Sequence, residues 1–304
     1  MRSAFSKALV AAAQANRKIL LLTGDHGYAL FDEFRRQVPE QFINAGIAEQ
    51  NMVGVAAGLA KAGYKPVVYG LSAFVPVRVL EQIKLDVCYE NLPVLFIGDG
   101  AGVVYSSLGS SHQSAEDIAT LRPIPNIQIL SPCDVYEMEY AMKHALQFTA
   151  PIYLRMGKSD AGDVHNKSLS LPIGDMMQAK SGESKQVVLL ATGAMAKTAV
   201  ALAKALGNYS VWTVPTIKPI NEIQVRKLAR EYNHIVVLEE HAIVGGLGGL
   251  IAEIVAEMDG IKARVMKIGV NDRFSDKCGS YAYLLKEHGL NVENLHDRIR
   301  AATM

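Results

Sequence analysis

The chain has 304 residues, half of them apolar, which is enough for two domains with large cores. A formal net charge of +1 gives no electrostatic argument for binding nucleic acid or an anionic membrane. Three scattered cysteines without a CxxC pair favour a reducing compartment, and no apolar run approaches the ~18 residues that span a bilayer. We therefore expect a cytoplasmic protein that binds neither nucleic acid nor membrane.

In the first half of the chain, short β-branched runs alternate with helical patterns. After an amphipathic first helix, the runs that predict strands are "KILLLTG", "QFINAG", "KPVVYG", "LPVLFIGDG", "IQILSP" and "APIYLRMG". The segments that predict helices between them are "EQNMVGVAAGLAKAG", "VRVLEQIKLDVCYEN" and "CDVYEMEYAMKHALQF". Apolar strands that lack polar alternation and are separated by helices indicate a parallel sheet covered on both faces.

A stretch rich in Gly, Ser, Asp and Lys then interrupts this pattern, and a second alternation of strands and helices follows it. The second set of strands is predicted at "QVVLLATG", "YSVWTVPT", "HIVVLEE" and "KARVMKIG", and two small helices close the chain. The sequence therefore predicts two doubly wound α/β domains. We expect a first domain over residues 1–157, a linker over 158–185 and a smaller second domain over 186–304.

One carboxylate stands out in this pattern. Glu49 lies in the first turn of a helix, Gly46–Gly63, that otherwise holds mostly small and apolar residues. An acid at that place can simply complement the helix dipole, worth ~0.3–1 kcal/mol. A carboxyl group in an apolar setting can instead share a proton with a bound nitrogen heterocycle. The residues alone leave both roles open.

Several longer segments resemble thiamine-diphosphate enzymes of the transketolase group, most closely the C-terminal half of transketolase as found in two-chain members. They are "INAGIAEQNMVGVAAGLAKAG", "FVPVRVLEQIK", "GSSHQSAEDIATLRPIPNIQILSPCDVYE", "PIYLRMGK" and "GGLGGLIAE". The resemblance implies that the first domain is a pyrimidine-binding domain and that the second is a transketolase C-terminal-type domain.

This resemblance assigns two catalytic residues. Glu49 matches the glutamate that hydrogen-bonds the aminopyrimidine of thiamine diphosphate and so lets the bound cofactor act as its own base. His112, in the Ser/Gly loop "YSSLGSSHQSAED", matches the histidine that reaches the substrate near its carbonyl oxygen. A histidine there can stabilise an alkoxide or move a proton. From the residues alone, a structural or solvent-exposed loop histidine remains an equal alternative.

Further cofactor contacts are implied by the same resemblance. Asp25 follows a predicted strand and matches an acid near the cofactor, and Phe74 matches an aromatic that packs on the aminopyrimidine. Leu71 and Val77 replace two companion aromatics of the family, so the pyrimidine pocket is expected to be apolar but less aromatic. Arg78 resembles a family position at the subunit interface, where an ion pair is the simpler role.

The residues implied in substrate binding match the family only in part. Arg2 and Arg155 match two arginines that bind the acceptor phosphate. Leu108 and Gly100 stand where transketolases carry an aspartate and a histidine that contact the substrate. We therefore expect transketolase-like chemistry on an altered acceptor, either a modified sugar or sugar phosphate or an oxo-acid-like compound.

The sequence also contains a segment that resembles a metal-binding motif. Gly98–Gly100 reads GDG, and Asn126 follows at about the spacing of the thiamine-diphosphate magnesium motif, whose oxygen ligands suit a hard cation. Family resemblance places these residues in the pyrimidine domain, so we interpret the match as coincidence and predict no metal ligand in this chain. The diphosphate and Mg²⁺ are then expected mainly on a partner subunit carrying the diphosphate-binding domain, in an α₂β₂ assembly that includes self-association of this chain.

The resulting functional prediction is the C-terminal subunit of a transferase that moves a two-carbon ketol unit between sugar-like substrates. The alternative is the β-subunit of a 2-oxoacid dehydrogenase, which shares the two-domain architecture and also pairs with a second chain. A 1-deoxyxylulose-5-phosphate synthase and a non-catalytic scaffold are further alternatives. The presence of both Glu49 and His112 favours an enzyme over a scaffold.

Overall fold

Two mostly parallel β-sheets organise the chain in the computed structural model, which describes residues 1–158 and 162–303. The strands are β1 Ile19–Thr23, β2 Phe42–Asn44, β3 Lys65–Leu71, β4 Leu95–Asp99, β5 Gln128–Leu130, β6 Ile152–Met156, β7 Met177–Lys180, β8 Val187–Ala191, β9 Ser210–Thr213, β10 Thr216–Lys218, β11 His234–Ala242 and β12 Arg264–Val270. The helices are α1 Arg2–Ala15, α2 Asp32–Gln37, α3 Glu49–Lys61, α4 Leu80–Gln82, α5 Asp117–Leu121, α6 Val135–Ala145, α7 Met195–Ala205, α8 Glu222–Glu231, α9 Leu247–Ala256, α10 Tyr281–Glu287 and α11 Val292–Thr303.

The first sheet has the strand order β10-β5-β6-β4-β3-β1-β2 and is parallel except for β10. Strand β1 explains why its apolar run has no polar alternation. Ile19 and Leu21 pack in the cluster that contains residues of α1 and α6, while Leu20 and Leu22 pack in the cluster that contains residues of α3. Both faces of the strand are therefore buried, which confirms the predicted doubly wound sheet.

The second sheet has the order β12-β11-β8-β9-β7 and is parallel except for β7. Strand β7 lies inside the segment predicted as a linker, where it pairs antiparallel with β9. Strand β10, from the second half of the chain, pairs antiparallel with β5 and so extends the first sheet. The sequence pattern predicts neither short strand, because each is defined by a partner that is remote in sequence.

The helix predicted over 77–91 has a different internal geometry. It begins with a 3₁₀ turn at Val77–Val79, passes through α4 and continues as a wide π-helical segment over Ile83–Cys88. The wide segment keeps Ile83, Val87 and Cys88 buried. Among the described residues, no helix combines the length and apolar character needed to cross a membrane.

Arg155, on β6, joins the two halves of the chain. Its side chain is only 2% exposed, its Nε donates to Asp117 at 2.7 Å, and its guanidinium also donates to the main-chain oxygen of Glu240 at 2.7 Å. Burial disfavours the charged guanidinium, but Asp117, Tyr153 and Glu240 together outweigh that effect and raise the pKa of Arg155. In the chain alone, Arg155 therefore contributes to interdomain packing, and its role as a substrate-phosphate contact stays a prediction.

This ion pair generates a stability prediction. Replacing Asp117 with Asn removes the buried counter-charge of Arg155, so we expect the free energy of unfolding to fall by about 3 kcal/mol or more. Urea unfolding measures the change. Tyr153→Phe is the matched control, because it removes only the hydroxyl that donates to the same carboxylate at 2.7 Å and should cost about 1 kcal/mol. Equal losses in the two variants would contradict a charge-based role for Asp117.

Thiol reactivity tests the packing independently. Cys88 and Cys133 are buried, and burial raises the pKa of Cys88 to about 12 and that of Cys133 well above its ordinary value, whereas Cys278 is exposed. Because the thiolate is the reactive form, a disulfide reagent at pH 8 should label Cys278 rapidly in the native chain and the other two only after unfolding. Rapid native labelling of Cys88 or Cys133 would contradict the fold.

Candidate active site

The predicted site residues follow the carboxyl ends of adjacent parallel strands. Asp25 comes after β1, Glu49 after β2, Phe74 and Arg78 after β3, and His112 after β4. These strands are neighbours in the order β4-β3-β1-β2. Carboxyl ends of parallel strands meet at one edge of an open α/β sheet, where ligands bind. The fold therefore brings residues that are far apart in sequence to the same edge.

Glu49 is the first residue of α3 and is 5% exposed. The helix presents Met52, Val53 and Ala56 to the core, at spacings of three, four and seven residues from Glu49, so the carboxylate lies on the buried face. Its Oε2 lies 3.2 Å from a terminal nitrogen of Arg78. A buried carboxylate is costly without a partner, and Arg78 compensates its charge.

Arg78 also covers the ring of Phe74. The guanidinium carbon lies 4.0 Å from the ring centroid, a cation–π geometry. The same ring contacts His112 edge-on, with centroids 5.4 Å apart, and His26 at 5.8 Å. Glu49, Arg78, Phe74, His112 and His26 therefore form one continuous cluster, which we call the Glu49 cluster.

His112 reaches this cluster from a short loop. The loop follows a single 3₁₀ turn, Ser106–Leu108, and the His112 amide donates to the Gly109 oxygen at 3.0 Å. The ring is half-buried, and its Nδ1 lies 3.0 Å from the Ser111 hydroxyl. The ring thus contacts Phe74 at the edge of the cluster. Because it is only half-buried, a ligand oxygen could reach it.

His26 is a candidate that the sequence reasoning did not assign. Its Nε2 is buried and has no hydrogen-bond partner within the described chain, so a ligand atom could satisfy it. Neighbouring Asp25 is exposed and accepts a hydrogen bond from the Tyr28 hydroxyl at 2.8 Å, which is the simpler turn role for that acid. The usable signal for His26 is its place directly after Asp25, just beyond the end of β1 at the edge where ligands bind.

A cavity of about 220 Å³ adjoins the cluster through His26. Leu71, the last residue of β3, lies in its wall, as does Arg2. Val77 is half-buried at the start of its 3₁₀ turn and does not line this cavity. The remaining wall residues are Gly27, Tyr28, Leu30, Tyr69, Asp99 and Tyr105.

Asp99 organises the polar wall of the cavity. Its carboxylate is 1% exposed, forms an ion pair with Arg2, and accepts hydrogen bonds from Tyr69 at 2.8 Å and Tyr105 at 3.1 Å. Burial raises the pKa of Tyr69, and it raises that of Tyr105 to about 12, so both hydroxyls remain donors. The half-exposed Arg2 side chain thereby neutralises the buried Asp99 carboxylate.

The GDG segment is explained by this polar wall. Gly100 has φ +73°, and a side-chain carbon there would lie 2.0 Å from the Tyr105 ring, so glycine permits the ring to pack over the main chain. Asn126 donates to the Cys88 oxygen at 2.9 Å. Asp99 is surrounded by donors, an environment that suits a structural anion.

Two predicted substrate residues lie outside these contacts. Leu108 is 52% exposed at the end of its 3₁₀ turn, and Arg155 is buried between the domains. The structure thus groups Arg2 and Leu71 around one cavity and places it next to the Glu49 cluster. It does not bring Leu108 or Arg155 into contact with either.

Comparison with protein families matches both halves of the chain. The model for "Transketolase, pyrimidine binding domain" matches residues 1–163, and that for "Transketolase, C-terminal domain" matches residues 178–295. Together they account for most of the chain.

Two curated relatives are similar to the whole chain. One subunit of the apulose-4-phosphate transketolase of Phocaeicola vulgatus is 31% identical over 97% of this chain and 94% of its own length. The 1-deoxy-D-xylulose-5-phosphate synthase of Clostridium acetobutylicum is 36% identical over 97% of this chain. This chain spans only about half of that synthase, 48% of its length.

A solved structure supports the same relationship. It is described as a split-gene transketolase in an inactive β₄ tetramer, and it superimposes with a TM-score of 0.87 at 34% identity, covering 99% of this chain and 97% of its own. The matched domains, the relatives and this structure agree: the chain belongs to the transketolase family.

Proposed function

We propose that this chain is the C-terminal-type subunit of a cytoplasmic, thiamine-diphosphate-dependent transketolase-like enzyme that transfers a two-carbon ketol unit. Residues 1–157 would bind the aminopyrimidine of the cofactor, and residues 186–304 would form the C-terminal domain. A partner subunit would hold the diphosphate and Mg²⁺. The observation that carries the proposal is the buried Glu49 carboxylate, which Arg78 connects to the Phe74 ring, in one cluster with His112.

The chemistry of this cluster fits the cofactor's aminopyrimidine. A carboxylate and an aromatic face lie within reach of one flat, nitrogen-bearing group, because the Arg78 guanidinium contacts both. An aminopyrimidine is also flat and carries ring nitrogens that can share a proton with a carboxylate. Thiamine diphosphate, when bound, supplies the nucleophilic carbon and carries the transferred fragment. In this chain, Glu49 would hold or share a proton and Phe74 would provide a stacking surface.

The remaining residues of the cluster would act on the substrate. His112 would donate to, or remove a proton from, the substrate oxygen as carbon–carbon bonds form and break. The unpartnered Nε2 of His26 would bind a substrate hydroxyl at the mouth of the cavity. Because Asp99 already neutralises Arg2, we assign Arg2 a weaker part in phosphate binding than the family resemblance implied.

A partner chain is supported by the surface around Glu49. The exposed side of α3 carries Gly54 and Gly58, whose missing side chains leave open space, together with Val55, 41% exposed. Ile47, just before the helix, is 76% exposed. A second chain would bury this apolar surface and complete the cofactor site. The Phocaeicola relative is named as one subunit of its enzyme and the similar structure comes from a split gene; both support such an assembly, which we expect to be α₂β₂.

The substrate class is a sugar or sugar phosphate of non-standard form, and apulose 4-phosphate is a rational first donor because a similar subunit is named for it. A synthase producing 1-deoxy-D-xylulose 5-phosphate is the second candidate, favoured by 36% identity to the Clostridium enzyme. An activity assay of the assembled enzyme separates the two candidates, because one yields the product of ketol transfer from apulose 4-phosphate and the other yields 1-deoxy-D-xylulose 5-phosphate.

Replacement of Glu49 by Gln tests the assigned catalytic role. The chain should be combined with its diphosphate-binding partner, thiamine diphosphate and Mg²⁺, and ketol transfer measured. Because Gln cannot share a proton as a carboxyl group does, kcat should fall by about 100-fold or more while the assembly and the melting temperature stay close to wild type.

Glu40→Gln is the control for this experiment, because Glu40 is an exposed acid that pairs only loosely with Arg17, at 3.5 Å. It should leave kcat unchanged. A loss of less than about tenfold in Glu49→Gln, with normal activity in the wild type, would refute the catalytic role of Glu49.

A further inference from the structure

Hydrogen bonds from the second domain contact the loop that carries His112. We infer that the C-terminal domain positions His112, and that the Ser275 hydroxyl, bonded to Gln113, is the decisive contact. The inference rests on the proposed function for the role of His112, although the positioning itself can be measured without turnover. It gives the second domain a part in the reaction beyond packing.

Gln113 directly follows His112 in the chain and is 9% exposed. Its side-chain oxygen accepts a hydrogen bond from the Ser275 hydroxyl at 2.8 Å. The same hydroxyl lies 2.9 Å from Nε2 of His288, which is 4% exposed. Because the serine has one hydrogen and gives it to Gln113, the His288 ring must donate from Nε2 to the serine oxygen. His288 therefore fixes the Ser275 hydroxyl, and that hydroxyl in turn holds the Gln113 side chain.

Two main-chain contacts anchor the ends of the same loop. The Gly279 amide donates to the Ser106 oxygen at 3.3 Å, and the Ala242 amide donates to the Ala115 oxygen at 2.7 Å. Both donors belong to the second domain, and both acceptors belong to the loop. The Ser275 contact lies between these two anchors, one residue from His112.

Within the first domain, Ser114 exchanges two main-chain hydrogen bonds with Gly102, at 2.8 and 2.9 Å, but residues 109–112 of the loop have few contacts of their own. The loop is rich in Ser and Gly, and Gly109 has φ +78°, so neither a core nor a regular helix restrains residues 109–112. On the opposite side, the His112 ring meets the Phe74 ring edge-on. A short loop held by few contacts opens locally at low cost, so the loss of one hydrogen bond should be felt there.

The competing explanation is that the Ser275 contact only packs the two domains together and does not position His112. Hydrogen exchange of the full chain distinguishes these two explanations. Ser275→Ala should speed exchange of the amides in residues 106–115 about tenfold, the effect of one lost hydrogen bond, while strands β8 and β11 keep wild-type rates. Ser275→Thr retains the hydroxyl and should restore slow exchange. If Ser275→Ala does not yield folded protein, Gln113→Met removes the same bond from the other side.

Ser210→Ala is the matched control, because Ser210 is a buried serine of the same domain whose hydroxyl bonds to Gly182 and Tyr232, away from the loop. It should leave exchange in residues 106–115 unchanged. In the assembled enzyme, Ser275→Ala should lower kcat about tenfold without changing the dissociation constant of thiamine diphosphate.

Wild-type loop exchange in Ser275→Ala, or faster loop exchange in Ser210→Ala as well, would overturn the inference. An assembled wild-type enzyme without transfer activity would refute the proposed function instead. The exchange comparison would still decide whether Ser275 positions the loop, so the two failures are distinguishable.

Discussion

The candidate site depends on a buried carboxylate that needs a partner. Glu49 lies on the core-facing side of α3, and removing an ionised carboxylate from water is expensive unless a cation or hydrogen-bond donor replaces the lost hydration. In the chain alone, Arg78 meets that need while it stacks on Phe74. In the proposed function, the aminopyrimidine of the cofactor would use the same carboxylate and the same ring. Cofactor binding would therefore require Arg78 to shift.

The fold places this carboxylate by topology. Parallel strands β1 to β4 direct four successive loops to one edge, and each loop contributes a residue to the Glu49 cluster or the adjoining cavity. The second domain meets that edge through the loop of His112, and in the proposed function it would supply rigidity. Two arginines that match the family are already paired, Arg155 with Asp117 and Arg2 with Asp99; in the proposed function, this would leave them less free to bind an acceptor phosphate.

The sequence predicted the features that local patterns define. Long apolar runs flanked by glycine identified the central strands of both sheets, and the spacing of apolar residues identified α3 with Glu49 in its first turn. Family resemblance then singled out Phe74 and His112, which the structure brings together.

What the sequence did not reveal depends on distant partners. Strands β7 and β10 are only four and three residues long, and each is defined by an antiparallel neighbour elsewhere in the chain. The burial of Arg155 follows from the position of Asp117 and the second domain, and no local pattern encodes it. The position of His26 after β1 was a weak signal, and the residue became a candidate once the structure showed its ring against Phe74 and its Nε2 without a partner within the described residues.

The most direct test is a crystal structure of this chain assembled with its diphosphate-binding partner, thiamine diphosphate and Mg²⁺. The account predicts the Glu49 carboxylate within about 3.2 Å of the aminopyrimidine ring nitrogen N1′, with Phe74 against the ring and Arg78 moved from its place between them. An aminopyrimidine bound elsewhere, with Glu49 still paired to Arg78, would contradict the central claim.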